Sequence, residues 1–460
     1  MAGEKTTKET EVFEKTPLPR AVAALAVPTI ISQLATVAYN MVDTWFIGRT
    51  GDTNQVAAVT LAFPIMMILG AISNMFGIGG GSLISRLMGQ KRYKDSGVVL
   101  TFLLWASTFT ALVCSVLMAI FINPILTAVG ADIHTLTYTK QFLFWTFIIG
   151  GVPTVLNMTM AYLIRGLGGA KTAGTGLIIG VVINIILDPI FIFSFDMKVA
   201  GAALATCISN IAAMLYLLQY LIRSRKSSII PFEIKFRMPE RDLVASIFTI
   251  GTPAALQIVL AAISNSVSVR LMSGYTSDAI AALGITQKIE LLPYNIIFGI
   301  ATGILPLLAY NYAAKNYERV HKTVRFSITA GFLISVVILI GYELFAPAIV
   351  SFFISDEATI RFGAAFARLR CIAFLFLTVE FILISVFQGI GGARQAMILS
   401  LFRKGIVDLP LMMVMNLVWP MYGLMLVQPA MEFLGAGIAV ILYLRLHKKM
   451  KSMDLQVRTQ

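Results

Sequence analysis

Long apolar stretches alternate with short polar ones along the whole chain. Those long enough to cross about 30 Å of hydrocarbon fall near 20–46, 56–85, 97–122, 137–164, 173–195 and 200–223. A second set falls near 243–272, 279–313, 323–353, 361–388, 397–419 and 424–446. Six plus six predicts an all-α membrane protein with twelve transmembrane helices. Several stretches exceed the roughly 20 residues that a straight span requires, so tilts, bends or extensions beyond the bilayer are expected.

The two sets follow one plan. Pro28 and Asn40 recur 225 residues later as Pro253 and Asn265. Lys91-Arg92-Tyr93 recurs as Lys315-Asn316-Tyr317, and Gly166-Leu167-Gly168-Gly169-Ala170-Lys171 as Gly389-Ile390-Gly391-Gly392-Ala393-Arg394. A near-constant offset means duplicated folding units, and in membrane proteins internal repeats are the mark of secondary transporters.

Charge orients the spans. Lys and Arg gather in the N-terminal tail, in the connections after every second stretch (Arg394, Arg403 and Lys404 after the tenth), in the 224–240 connection and in the C-terminal tail. Odd connections are poorer in bases and hold Asp52, Asp132, Asp196, Asp278, Asp356 and Glu357. Cytoplasmic loops carry the excess of Lys and Arg, so both termini should be cytoplasmic and the carrier should sit in the plasma (inner) membrane. Six spans per half give both halves the same orientation, two six-helix bundles related by a pseudo-two-fold axis along the membrane normal. The expected division is a tail at 1–19, an N-lobe at 20–224, a linker at 225–242, a C-lobe at 243–446 and a tail at 447–460.

Composition agrees. The chain is 58% hydrophobic and only 13% charged, about half the charged share of a soluble domain, with a mean hydropathy of +0.83. The net charge of +13 does not indicate nucleic acid, because the bases form short clusters between apolar stretches. Cys114, Cys207 and Cys371 lie in apolar segments without ligand spacing and are expected to be buried free thiols.

A carboxylate at mid-bilayer costs on the order of 3 kcal/mol on insertion scales, so each one needs a partner or water. Asp43 lies deep in the first span with Tyr39 four residues before it, on the same helical face. Asn184 and Asp188 repeat that spacing in the fifth span, where Pro189 leaves carbonyl oxygens such as that of Ile185 available. Thr206 follows a run of small residues in the sixth span that permits close helix contact. If these faces converge, they gather hard oxygen donors suited to Na⁺ or a shared proton, since two neighbouring carboxylates cannot both ionise cheaply in an apolar setting. The competing reading is that the two acids only fix helix packing.

The second half is less regular. Ser268 stands where Asp43 would repeat, and Gln257 is the polar residue of the seventh span. Its acids are Glu290, Glu380 and Asp408, candidates for a substrate cavity. Glu290 could instead pair with Lys288, and Glu380 and Asp408 with Arg370 or Lys404. Glu343 and Glu432 are expected at the interface. Pro28 frees a carbonyl in the first span and makes a kink or a hinge. Gly77, Gly79, Gly80 and Gly81, echoed by Gly299 and Gly303, suit close packing of backbones.

Several stretches together resemble the multidrug and toxic compound extrusion (MATE) family. They are Val42-Asp43-Thr44 with Phe46-Ile47-Gly48-Arg49, the Arg165-Gly166 loop, Asn184 to Pro189, and Leu305-Pro306-Leu307-Leu308-Ala309-Tyr310-Asn311-Tyr312. The resemblance is to the prokaryotic DinF-like branch, whose acidic site lies in the N-terminal lobe. It implies a V-shaped cavity between two lobes and export of organic, often cationic, compounds driven by Na⁺ or H⁺ entry. On that pattern Tyr39, Asp43, Asn184, Asp188 and Thr206 form the cation site, and its protonation lets the first helix bend at Pro28. Asp43, Asn184, Asp188 and Thr206 would be the Na⁺ ligands in a sodium-coupled carrier. Small-molecule drugs and the bilayer are the expected partners, no cofactor beyond the coupling ion is expected, and a monomer is expected.

An enzyme is disfavoured. His134, His321 and His447 are scattered, and the Gly166 to Thr172 loop lacks the Gly that a P-loop places before its Lys. A lipid-linked saccharide flippase is the nearer alternative. It would show a strongly basic centre, whereas the intramembrane charges here are mostly acidic. A channel comes third.

Overall fold

The computed structural model describes residues 8–49, 52–225, 233 and 235–458. The expected linker thus lies mostly outside the described residues, as do the first seven residues of the N-terminal tail.

Helix is the only regular structure among the described residues, as an apolar solvent requires of a chain that must satisfy its backbone internally. A short helix at Lys8–Glu14 precedes twelve segments. In the first half these are α1 (Leu18–Gly48), α2 (Thr53–Gly89), α3 (Tyr93–Val129), α4 (Leu136–Leu143 and Gly151–Gly166), α5 (Ala170–Pro189) and α6 (Lys198–Ser224). The second half holds α7 (Arg241–Met272), α8 (Ser277–Ala313), α9 (Tyr317–Ser351), α10 (Glu357–Cys371 and Ala373–Ile390), α11 (Ala393–Leu401 and Asp408–Val418) and α12 (Tyr422–Arg458).

The length surplus is absorbed as bends. α4 turns by 52° around a π-helical stretch, Phe144–Ile149, and Gly150. α10 breaks at Ile372, and α11 passes through a π turn at Phe402–Ile406. α12 does not stop near 446 but continues as one helix to Arg458.

The duplication reaches the backbone. Lys91 and Lys315 both adopt left-handed φ, 60° and 59°, each followed by a residue whose amide bonds back to close the helix end (Arg92 to Leu87 at 2.8 Å, Asn316 to Asn311 at 2.8 Å). Gly168 and Gly391 form the second matched pair, at φ 89° and 84°. A left-handed residue at a helix end is a standard stop, and here each stop is used twice.

Two compact units emerge. The first comprises Met1–Thr16 with Ile31–Ile258 and the second Pro17–Ile30 with Val259–Gln460. Each therefore takes most of one repeat plus the opening part of the other repeat's first helix. In the first unit that opening part, on α7, lies so close to α2 that a Cβ on Gly79 would sit 2.3 Å from the Ile247 carbonyl oxygen. In the second, α1 lies so close to α8 that a Cβ on Gly303 would sit 2.7 Å from Ala26 Cα. Gly79 and Gly303 are repeat partners, and glycine here removes the side chain that would hold the backbones apart.

Candidate functional site

In the first unit, α5 packs along α6 and α6 along α4. Asn184 and Asp188 occupy successive turns of the buried face of α5. The Asn184 amide nitrogen donates to Asp188 Oδ1 at 3.3 Å and to Thr206 Oγ1 of α6 at 3.4 Å. Asp43 of α1 is buried, and its charge bears on Asp188, while both acids act on the partly buried Tyr39 phenol. Asn184, Asp188 and Thr206 are thus joined by hydrogen bonds, with Asp43 and Tyr39 in electrostatic range of Asp188. The two aspartates face a common interior, not opposite flanks of the bundle.

Oxygens remain to be used. Asp43 Oδ1, Asn184 Oδ1 and Asp188 Oδ2 are buried without a hydrogen-bond partner. Buried polar groups almost always find partners, so three orphaned oxygens on converging faces form a cradle suited to a small cation or a proton. No group of three or more His, Cys, Asp or Glu that could hold a metal ion occurs among the described residues. The donors that remain are hard oxygens.

The network extends to two residues that sequence patterning did not single out. Asn157 of α4 donates to Asn210 at 3.1 Å, and Asn210 of α6 donates to the Thr206 carbonyl at 3.0 Å. Asn157 follows Thr154 by three residues and Asn210 follows Thr206 by four, a polar stripe at helical spacing that could have exposed them. Gln257 lies in the first unit as well, its amide nitrogen buried without a partner. Pro28 sits inside α1, which continues helical past it, two residues before the point where the helix passes from one compact unit to the other.

The second unit holds a denser set of charges than the sequence suggested. Glu290 does not pair with Lys288. Arg370 grips it through two hydrogen bonds of 2.6 and 2.8 Å and also bonds Gln428. Asp408 accepts from Ser264 and lies 3.9 Å from Lys404. Two expectations are corrected here. Glu432 is fully buried, not interfacial, and it holds Arg403 through bonds of 2.9, 3.1 and 3.2 Å. Arg403 belongs to no cytoplasmic loop. It is 2% exposed within α11 and lies over the Phe381 ring at 4.5 Å, where burial is tolerable because its charge is both paired and stacked. Among the described residues, inward charge in this half is therefore mixed: four buried acids, Glu290, Glu380, Asp408 and Glu432, among the buried Arg403 and the partly buried Arg370 and Lys404.

Twelve apolar helical segments in two repeated halves, with carboxyl groups converging inside a helical bundle, define a secondary carrier. The chain belongs to the MatE family, whose model matches residues 28–190 and 253–414. It is 31% identical over 411 residues to the multidrug export protein MepA of Staphylococcus aureus (strain MRSA252), covering 89% of this chain and 90% of that one. It is 32% identical over 409 residues to MepA of Staphylococcus saprophyticus, covering 88% of each. Among solved structures, an outward-facing multidrug resistance MATE family transporter of the MOP superfamily superposes with a TM-score of 0.91 at 22% identity, over 98% of this chain and 100% of that one. A MOP superfamily transporter from Pyrococcus furiosus, reported with a binding pocket of reversed polarity, superposes at 0.90 and 22% identity, over 97% and 100%. At that identity the likeness establishes the fold.

Proposed function

We propose that this chain is a multidrug efflux carrier of the plasma membrane, both termini cytoplasmic, exporting organic and often cationic compounds in exchange for Na⁺ or H⁺. The observation that carries the coupling half of this reading is the convergence of Asp43, Asn184, Asp188 and Thr206 with three orphaned oxygens among them. An ion arriving there neutralises charge that is costly in an apolar interior. Its departure leaves two carboxylates facing each other, so the α1 and α5 faces are favoured together only when the ion is bound. Alternating occupancy of this site and the drug site requires only that each ligand bind one conformation better than the other. Pro28 gives α1 a place to bend.

The flippase alternative is less favoured, because the three bases of the second unit are each matched by an acid and leave no unbalanced positive field.

The test is export of a cationic dye from proteoliposomes under a sodium gradient and, separately, a pH gradient. The native chain should respond to at least one. Asp43→Asn and Asp188→Asn should each abolish the gradient-driven component while inserting normally, and undiminished export by either variant rejects the assigned site.

A further inference from the structure

We propose that Glu380 and Glu432 hold one proton between them, so that the second unit binds a proton in its own right. The proposal relies on the carrier reading only for the use to which that proton is put.

Counting charges leads to it. Four buried acids face one buried and two partly buried bases in this unit. Arg370 is committed to Glu290 and Gln428, and Lys404 lies beside Asp408. Arg403 places all three of its bonds on Glu432 and comes no nearer to Glu380 than 4.0 Å. Glu380 is left over. It is fully buried, and neither of its carboxyl oxygens receives a bond from any donor. The Glu432 carboxyl crowds the same guanidinium: Arg403 Nε lies 3.1 and 3.2 Å from its two oxygens and 4.0 Å from Glu380 Oε2.

Its surroundings offer no other remedy. The charged or titratable groups acting on Glu380 are Glu432 from α12 and Arg403 and Lys404 from α11, with the Tyr294 phenol of α8 acting in turn on Arg403. α12 closes the remaining side with Gly435, where a Cβ would sit 2.5 Å from Glu380 Oε2. Two carboxylates around one guanidinium leave one negative charge unmatched in an apolar interior. A carboxylic acid donating its O–H to the neighbouring carboxylate removes the unmatched charge and gives one of the two Glu380 oxygens a partner. Loss of that proton to solvent would leave Glu380 competing with Glu432 for Arg403. Arg403 sits on the π turn at Phe402–Ile406, a weak point in the helix, so the competition would be felt where α11 can give.

Infrared spectroscopy of the purified full-length protein in lipid nanodiscs, in H₂O and D₂O, tests this through the carbonyl stretch of protonated carboxylic acids. All variants are made in an Asp43→Asn/Asp188→Asn background, which silences the first unit's acids. The parent should show one such band at neutral pH. Adding Glu380→Gln should remove it. Glu432→Gln should also remove it, because the remaining acid then takes Arg403 as its partner and ionises. Arg403→Met should strengthen it. A band absent from the parent, or unchanged in Glu380→Gln, overturns the proposal. A band that persists in Glu432→Gln, which also serves should Glu380→Gln fail to fold, overturns the sharing. Because Asp43 and Asp188 are absent throughout, failure here leaves the coupling role of the first unit to stand or fall on the transport assay.

Discussion

Arg370 meets Glu290 in a two-pronged contact, 2.6 Å from Nε to Oε1 and 2.8 Å from the terminal nitrogen to Oε2, with both side chains about one-tenth exposed. Breaking one side of a buried pair strands the other charge and costs about 3–5 kcal/mol, whereas replacing both partners with apolar groups is often neutral. Arg370→Met should therefore sharply lower the unfolding temperature in detergent. Arg370→Met/Glu290→Leu should recover most of the loss, and a double variant as unstable as the single one would show that the pair does not account for the cost.

Asn184 serves Asp188 and Thr206 with one amide nitrogen. A hydrogen bond to a charged group contributes about 1.5–3 kcal/mol, at least tenfold in affinity. Asn184→Ala should weaken the apparent affinity for the coupling ion by about that factor and leave the maximal rate of export nearly intact. Thr206→Val should have a smaller effect. The dependence of efflux on ion concentration reads both.

Gly79 and Gly303 stand at repeat-related contacts where a side chain has no room. Overpacking costs typically 1–3 kcal/mol when neighbours can yield, but at Gly79 the obstacle is a backbone carbonyl. Gly79→Val and Gly303→Val should both lower the yield of folded, monodisperse protein. Gly284, with open space around it, should accept the same change, and chromatographic profiles of the three variants provide the comparison.

Asp356 caps a helix start and Asp132 closes the turn that leads into another, both outside the spans. The Thr135 hydroxyl and amide hold the Asp132 carboxyl below the usual aspartate range, and the Thr359 amide does the same for Asp356. A lowered folded-state value means that the stabilisation is complete above the ordinary aspartate pKa of about 3.9 and is lost as pH falls through the lowered value. The melting difference between the native chain and Asp356→Ala should thus be constant near neutrality and vanish in strong acid. A difference that grows on acidification would reverse the assigned sign.

Hydropathy and the repeat offset disclosed the spans because the bilayer imposes a length on every helix. The acids of the first unit were legible too: Asn184 and Asp188 lie one turn apart, and one turn is a spacing a sequence displays. The depth of Arg403 was not. It follows an apolar run as loop bases do, and what keeps it buried is Glu432, 29 residues away on another helix, with the Phe381 ring above it. The depth of Glu432 is hidden for the same reason. Asn157 and Asn210 each extend a polar stripe that a sequence displays, but their pairing across 53 residues leaves no local trace.

The first helix divides its loyalties at Ile30, its opening residues completing the second unit. During synthesis that stretch emerges long before α8, the surface it must lie against, has been made. It has to wait in the lipid, its small contact face uncovered, until more than half of the chain has followed. Severed at 242, the later half should insert but remain unfinished, and supplying Pro17–Ile30 on a separate peptide should mend it.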